Sequence, residues 1–110
     1  MQRFTVIDDL RHQRAISGRP YLEFLRVPTM SCGIYVLAAG AEDKQQPHRE
    51  DELYYVISGC GRMVLHADGQ QQDREVKAGD VIFVKAGEEH RFHSITSELT
   101  VLVVFAPAET

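Results

Sequence analysis

From Tyr21 onward the apolar residues recur at every second position, in short runs that glycine, aspartate or proline cut off. Tyr21, Glu23, Leu25 and Val27 alternate with Leu22, Phe24 and Arg26 until Pro28 ends the run. Gly33 to Leu37, Leu53 to Ile57, Arg62 to His66, Val81 to Val84, His90 to Ile95 and Leu99 to Phe105 follow as further β-branched or aromatic runs. A period of two is the signature of a half-buried strand, and such runs punctuated by turn residues describe an all-β chain. Gly59-Cys60-Gly61 reads as a tight turn, Asp68-Gly69 as a hairpin turn and Lys77-Ala78-Gly79-Asp80 as another. The Gln70-Gln71-Gln72 run after the hairpin reads as solvated. About eight short strands with so little helix predict an antiparallel jelly roll, a double-stranded barrel. The one helix falls in the N-terminal arm, between Asp8 and Ser17, capped by Asp8 or Asp9 and closed by Gly18 and Pro20.

A chain of 110 residues is enough for one domain that buries roughly two thirds of its surface. We therefore expect a single domain over residues 1–110, with the barrel at about 21–106 and residues 1–20 as an arm. Twelve Lys and Arg against sixteen Asp and Glu leave a net charge of −4, the wrong sign for a partner made of phosphates. Two cysteines, Cys32 and Cys60, are too few for a disulfide framework. MQRFTVIDDLRHQ lacks the apolar centre of a signal peptide, and no apolar stretch has the length of a membrane helix. These features predict a cytoplasmic protein that engages neither nucleic acid nor membrane.

Side chains that ligate metals are concentrated in two places. One is Gln46-Pro47-His48-Arg49-Glu50-Asp51-Glu52, and the other is Glu88-Glu89-His90-Arg91-Phe92-His93. If the first segment is a regular strand, Gln46, His48, Glu50 and Glu52 share one face, with Tyr54 and Val56 continuing it. Imidazole nitrogens and carboxylate oxygens on one face suit a divalent transition metal.

These segments carry a resemblance to the cupin family. The family's first motif places Gly, five residues, His-x-His, three or four residues, Glu, six residues, Gly. Here His48 takes the second histidine position, Glu52 the glutamate and Gly59 the closing glycine, while Gln46 stands at the first histidine and Gly40 opens one residue out of step. The second motif places Gly, five residues, Pro-x-Gly, two residues, His, three residues, Asn. Gly79, Gly87 and His90 match it, with Lys85 in place of the proline and Ser94 in place of the asparagine.

The resemblance implies a metal held by His48, Glu52 and His90, with Gln46 as a neutral fourth ligand or Glu50 swinging in as a second carboxylate. Two imidazoles and one carboxylate form the facial triad of non-haem iron oxygenases. The implied cofactor is a divalent transition metal: Fe, Mn, Ni or Zn. Tyr54, Val56, Phe83 and Phe92 are expected to wall the substrate pocket, and Glu50, if not a ligand, is the candidate catalytic acid or base. The expected function is a metal-dependent enzyme acting on a small organic molecule, of dioxygenase or isomerase/lyase type. The alternative is a non-catalytic module that binds or senses a small molecule such as a sugar. Small cupins pair, so a homodimer is expected, through Tyr21–Val27 and Leu99–Phe105. His93, three residues from His90, belongs on the opposite face. His12 and His66 have no partner cluster and read as surface, Cys32 reads as core, and Cys60 has no base in sequence to activate it.

Overall fold

Two long antiparallel strands organise the molecule, which a computed structural model describes over residues 1–110. The strands are β1 (Tyr21–Val27), β2 (Met30–Leu37), β3 (Asp51–Ala67), β4 (Gln70–Lys77), β5 (Val81–Val84) and β6 (Glu89–Ala106). They join in the order β1-β2-β6-β3-β4, with β5 alongside β3, and every pairing is antiparallel. The first half of β3 pairs with the second half of β6, and the second half of β3 with the first half of β6. Residues from both halves of this ribbon, among them Tyr54, Val56, Met63, Phe92, Val101 and Val103, meet in one buried cluster. The sheet is therefore folded over on itself, as the jelly-roll expectation requires.

The expected tight turn at Gly59-Cys60-Gly61 does not form. The chain runs through these residues as strand, and Leu53–Ile57 and Arg62–His66 are two parts of β3. In the same way His90–Ile95 and Leu99–Phe105 are parts of β6. Register shifts between Val56 and Arg62 bend the ribbon here. Gly59 has φ +91°, and a Cβ there would fall on the carbonyl of Glu98. The glycine thus serves a bend and a close approach of β6 within a strand, a use that its sequence does not distinguish from a turn. Asp68 and Gly69 do form the expected hairpin turn, with φ of 53° and 73°. The three glutamines after it begin β4, where they are exposed.

In the N-terminal arm a π-helical turn, Val6–Leu10, leads into α1 (Arg11–Ser17). Neither Asp8 nor Asp9 caps it; the Thr5 hydroxyl instead donates to Asp9 Oδ2 at 2.6 Å. Gly18, at φ 71°, ends the helix as expected. Buried Leu10 packs with Ile34 and Val36 on the outer side of β2. No helix of the chain is long and apolar enough to cross a membrane.

Because of the approach of Glu98, Gly59→Ala should lower the unfolding free energy by roughly 2–4 kcal/mol, from backbone strain and overpacking together. Gly69→Ala, with open space around its Cβ position, should cost only about 1–2 kcal/mol. Urea denaturation of the two variants side by side measures the difference.

Candidate metal centre

Inward-facing residues on β3 are set by its pleat: Glu52, Tyr54 and Val56 are buried, and Asp51, Leu53 and Tyr55 between them are exposed. The same alternation on β6 buries His90 and Phe92 and exposes Arg91. His48 lies in the loop before β3, where its carbonyl accepts from the Gly87 amide at 2.7 Å. Another anchor of that loop is Asp43, itself buried. Its carboxylate accepts from the Tyr35 hydroxyl at 2.7 Å, from the Gln45 side chain at 2.6 Å and from the Phe92 amide at 2.9 Å.

This framework brings His48, Glu52 and His90 together, with one ligating atom from each within 4.8 Å of the others. The His90 ring nitrogen Nε2 is 2.9 Å from Glu52 Oε1, and His48 Nε2 is 3.9 Å from the same oxygen. His90 Nδ1 lies 2.8 Å from the Glu88 carbonyl. A carbonyl only accepts, so Nδ1 carries the proton and Nε2 is the nitrogen turned to the site. Burial disfavours a charged His90, but Glu52, the Glu88 carbonyl and Asp43 outweigh it and raise its pKa.

A metal fits these residues. Glu52 Oε1 is buried and accepts no hydrogen bond, its neighbour at 2.9 Å being the unprotonated Nε2 of His90. A buried carboxylate oxygen without a donor needs a positive charge nearby. His48, Glu52 and His90 would hold it through two imidazole nitrogens and one carboxylate oxygen, a donor set suited to a divalent transition metal.

The other expected residues divide. Tyr54, Val56 and Phe92 are fully buried, with Tyr54 against His90 at 3.1 Å between hydroxyl and Nε2. Phe83 is 60% exposed and points out of the barrel, correcting its place in the pocket wall. The pleat of β5 turns Ile82 and Val84 inward instead. Gln46 is exposed, and the amide beside the imidazole is that of Gln45, whose Oε1 is 3.2 Å from His48 Nε2 and 3.0 Å from the Tyr54 hydroxyl. Glu50 is buried but turned aside, accepting from the amide and hydroxyl of Thr110 at 3.3 and 2.9 Å. Both departures have one cause. Regular strand begins only at Asp51, so alternation does not extend back to 46 and 50. His93 faces away from the site, as expected, with Nε2 3.0 Å from Asp73.

A cavity of about 170 Å³ opens at His48 and Glu52, lined also by Tyr21, Tyr35, Gln45, Tyr54, Phe105 and Glu109 among others. Four of these, Tyr21, Tyr35, Gln45 and Glu109, carry polar groups that sequence reasoning missed, since they come from β1, β2, a loop and the C-terminal segment. Glu109 Oε2 is 3.1 Å from His48 Nδ1. Burial raises the Glu109 pKa, His48 draws it back, and the nearby carboxylates of Glu50, Glu52 and Glu23 push it up again. Burial is also the main cause that lifts the Tyr21, Tyr35 and Tyr54 phenols above their usual range. All three are neutral hydrogen-bonding groups in the physiological range.

Known proteins resemble this chain at several levels. An uncharacterised protein of Streptomyces coelicolor is 43% identical over 104 residues, covering 94% of this chain and 95% of that one. An acireductone dioxygenase of Gluconacetobacter diazotrophicus is 33% identical over 99 residues, covering 79% of this chain. The match takes in 55% of the dioxygenase, so this chain spans about half of that enzyme's length. Among solved structures, an RmlC-like cupin of Methanocaldococcus jannaschii superposes with a TM-score of 0.70 at 19% identity, over 79% of this chain and 78% of the other. A Bacillus subtilis oxalate decarboxylase gives 0.69 at 23% identity, over 73% of this chain and 22% of its own. At those identities the two structures speak for the fold alone. The cupin-domain family pattern itself matches residues 33–106, which takes in His48, Glu52 and His90 as well as most of the barrel, and this chain belongs to the cupin family.

Proposed function

We propose that the chain, working as one domain over residues 1–110, is a metal-dependent enzyme of dioxygenase type that acts on a small oxygen-rich molecule. The observation that carries this reading is the buried, donorless Oε1 of Glu52 between two imidazoles. His48, Glu52 and His90 hold the ion: Fe, Mn, Ni or Zn. Bound there, a divalent ion supplies Lewis acidity and, if redox-active, a site for O₂. The protein's own residues do the rest. The Glu88 carbonyl fixes the His90 ring, and Asp43 fixes the loop that carries Gln45. The apolar side chains Val103 and Phe105 line the same cavity and give it an apolar wall. The size of the cavity limits the substrate to a few carbons, since drug-sized ligands occupy roughly 300–1,000 Å³. The relationship to acireductone dioxygenase makes acireductone the first substrate to try. Both cysteines are free, which fits a cytoplasmic protein.

Loading metal-free protein with Mn²⁺ at 100 times its dissociation constant should add about 2.7 kcal/mol of stability. That corresponds to a rise on the order of 10 °C in melting temperature. His90→Ala should lose this rise and His93→Ala should keep it. Oxygen consumption by the Fe²⁺-, Mn²⁺-, Ni²⁺- and Zn²⁺-loaded forms with acireductone then tests the chemistry. Metal binding without turnover would favour the reading as a non-catalytic binding module.

Gln45→His should tighten Mn²⁺ binding by supplying a further imidazole where the amide now stands, whereas Gln46→His should leave it unchanged. Calorimetric titration distinguishes the two.

We also propose that the protein is a homodimer. The Leu99–Phe105 run, expected at the interface, is accounted for within the subunit, since β6 lies between β2 and β3. Support comes instead from Leu53, Tyr55, Val81 and Phe83. Leu53 pairs with Phe83 and Tyr55 with Val81 across β3 and β5, and all four are exposed, forming an apolar patch on the outer sheet face. Sedimentation should give a dimer at micromolar concentration for the wild type and a monomer for Leu53→Lys/Phe83→Lys.

A further inference from the structure

The Tyr21 hydroxyl is buried inside the fold with no hydrogen-bond partner, although its ring lines the cavity next to the candidate ligands. A buried hydroxyl left unpaired is destabilising, so a fold that keeps one has a use for it outside its own contacts. Its position is built rather than incidental. Tyr21 pairs with Tyr35 across β1 and β2, and the two rings meet edge to face at 6.2 Å between centroids. The Tyr21 ring lies over Gly33 of β2, where any Cβ would collide with it. The other two phenols of the cavity are engaged: Tyr35 donates to Asp43, and Tyr54 is shared between Gln45 and His90. Tyr21 alone has a free donor. Burial, with Glu109, Glu23, Cys32 and Glu52 adding to it, raises its pKa and keeps that proton in place.

We infer that Tyr21 is a ligand-binding residue whose hydroxyl donates to one oxygen of a small molecule carrying two vicinal oxygens, the other of which faces His48, Glu52 and His90. The inference rests on the metal reading above and adds to it the group that orients the bound molecule. A hydroxyketone, an enediol or a hydroxamate has the required chemistry, with an acceptor oxygen for the phenol and a neighbouring oxygen for the ion. A second negative charge on the ligand would be opposed by Glu109, which lines the same cavity.

Acetohydroxamate, with two vicinal oxygens on a two-carbon frame, is a suitable probe. Mn²⁺ alone should bind wild type and Tyr21→Phe with equal affinity, because the phenol is not a ligand. Acetohydroxamate titrated into the Mn²⁺-loaded proteins should bind Tyr21→Phe about five- to tenfold more weakly, the loss of one hydrogen bond. Without metal or probe, Tyr21→Phe should be at least as stable as wild type, since it removes an unpaired buried hydroxyl. A hydroxyl with a structural role would lose stability on the same change. Gly33→Ala, which displaces the ring, should weaken the probe in the same direction. Equal probe affinity in wild type and Tyr21→Phe with Mn²⁺ bound, or a clear loss of stability in Tyr21→Phe, overturns the Tyr21 assignment alone. Failure of Mn²⁺ to bind the wild type overturns the metal reading and the inference together.

Discussion

The antiparallel ribbon of β3 and β6 is the constraint on which the rest of the molecule depends. Each strand is long enough to serve both halves of the folded sheet, and each crosses its bend only because the backbone relaxes there. Gly59 does this on β3 at φ +91° and Ser94 on β6 at φ 49°. The bend brings Glu52, from the first half of β3, opposite His90, from the first half of β6. Unlike a hairpin, which joins neighbours in sequence, this geometry joins residues nearly forty positions apart. The core cluster fills the space between the two halves. Packing and site geometry therefore stand or fall together.

A carboxylate as deeply buried as Glu52, at 2% exposure, works against the stability of the barrel unless a positive charge accompanies it. His48 and His90 are the nitrogen groups that face it, and an ion held among the three would supply that charge. Of the four buried side-chain atoms without a partner, two belong to residues, Glu52 and Tyr21, that line the same small cavity. Their concentration there sets this cavity apart from the larger cleft of about 440 Å³ between β4 and β5, whose walls include Met63, Leu65, Val76 and Phe83.

The strands were legible because alternation reports directly on which face of a sheet is buried. The grouping of His48, Glu52 and His90 was legible because a family spacing joined two distant segments. What stayed hidden was of two kinds. Whether glycines mark a turn or a bend depends on the partner strand, and Gly59 is explained only by the carbonyl of Glu98. The placement of Gln45, Gln46 and Glu50 depends on where β3 begins, and a loop pinned through Asp43 has no period to read. Phe83 illustrates a third limit. Periodicity shows which residues of a short strand share a face, but for the all-apolar run VIFV it does not say which face is inward.

The proposed ligands and the proposed orienting phenol belong to different parts of the architecture. His48, Glu52 and His90 are tied to the central ribbon and its loops, whereas Tyr21 is on β1, an edge strand that pairs with β2 alone. On the two proposals together, changes in β1 would alter what the cavity recognises and leave His48, Glu52 and His90 where they are. Such a division would place recognition at the margin of the sheet, with the cost to folding confined to an edge.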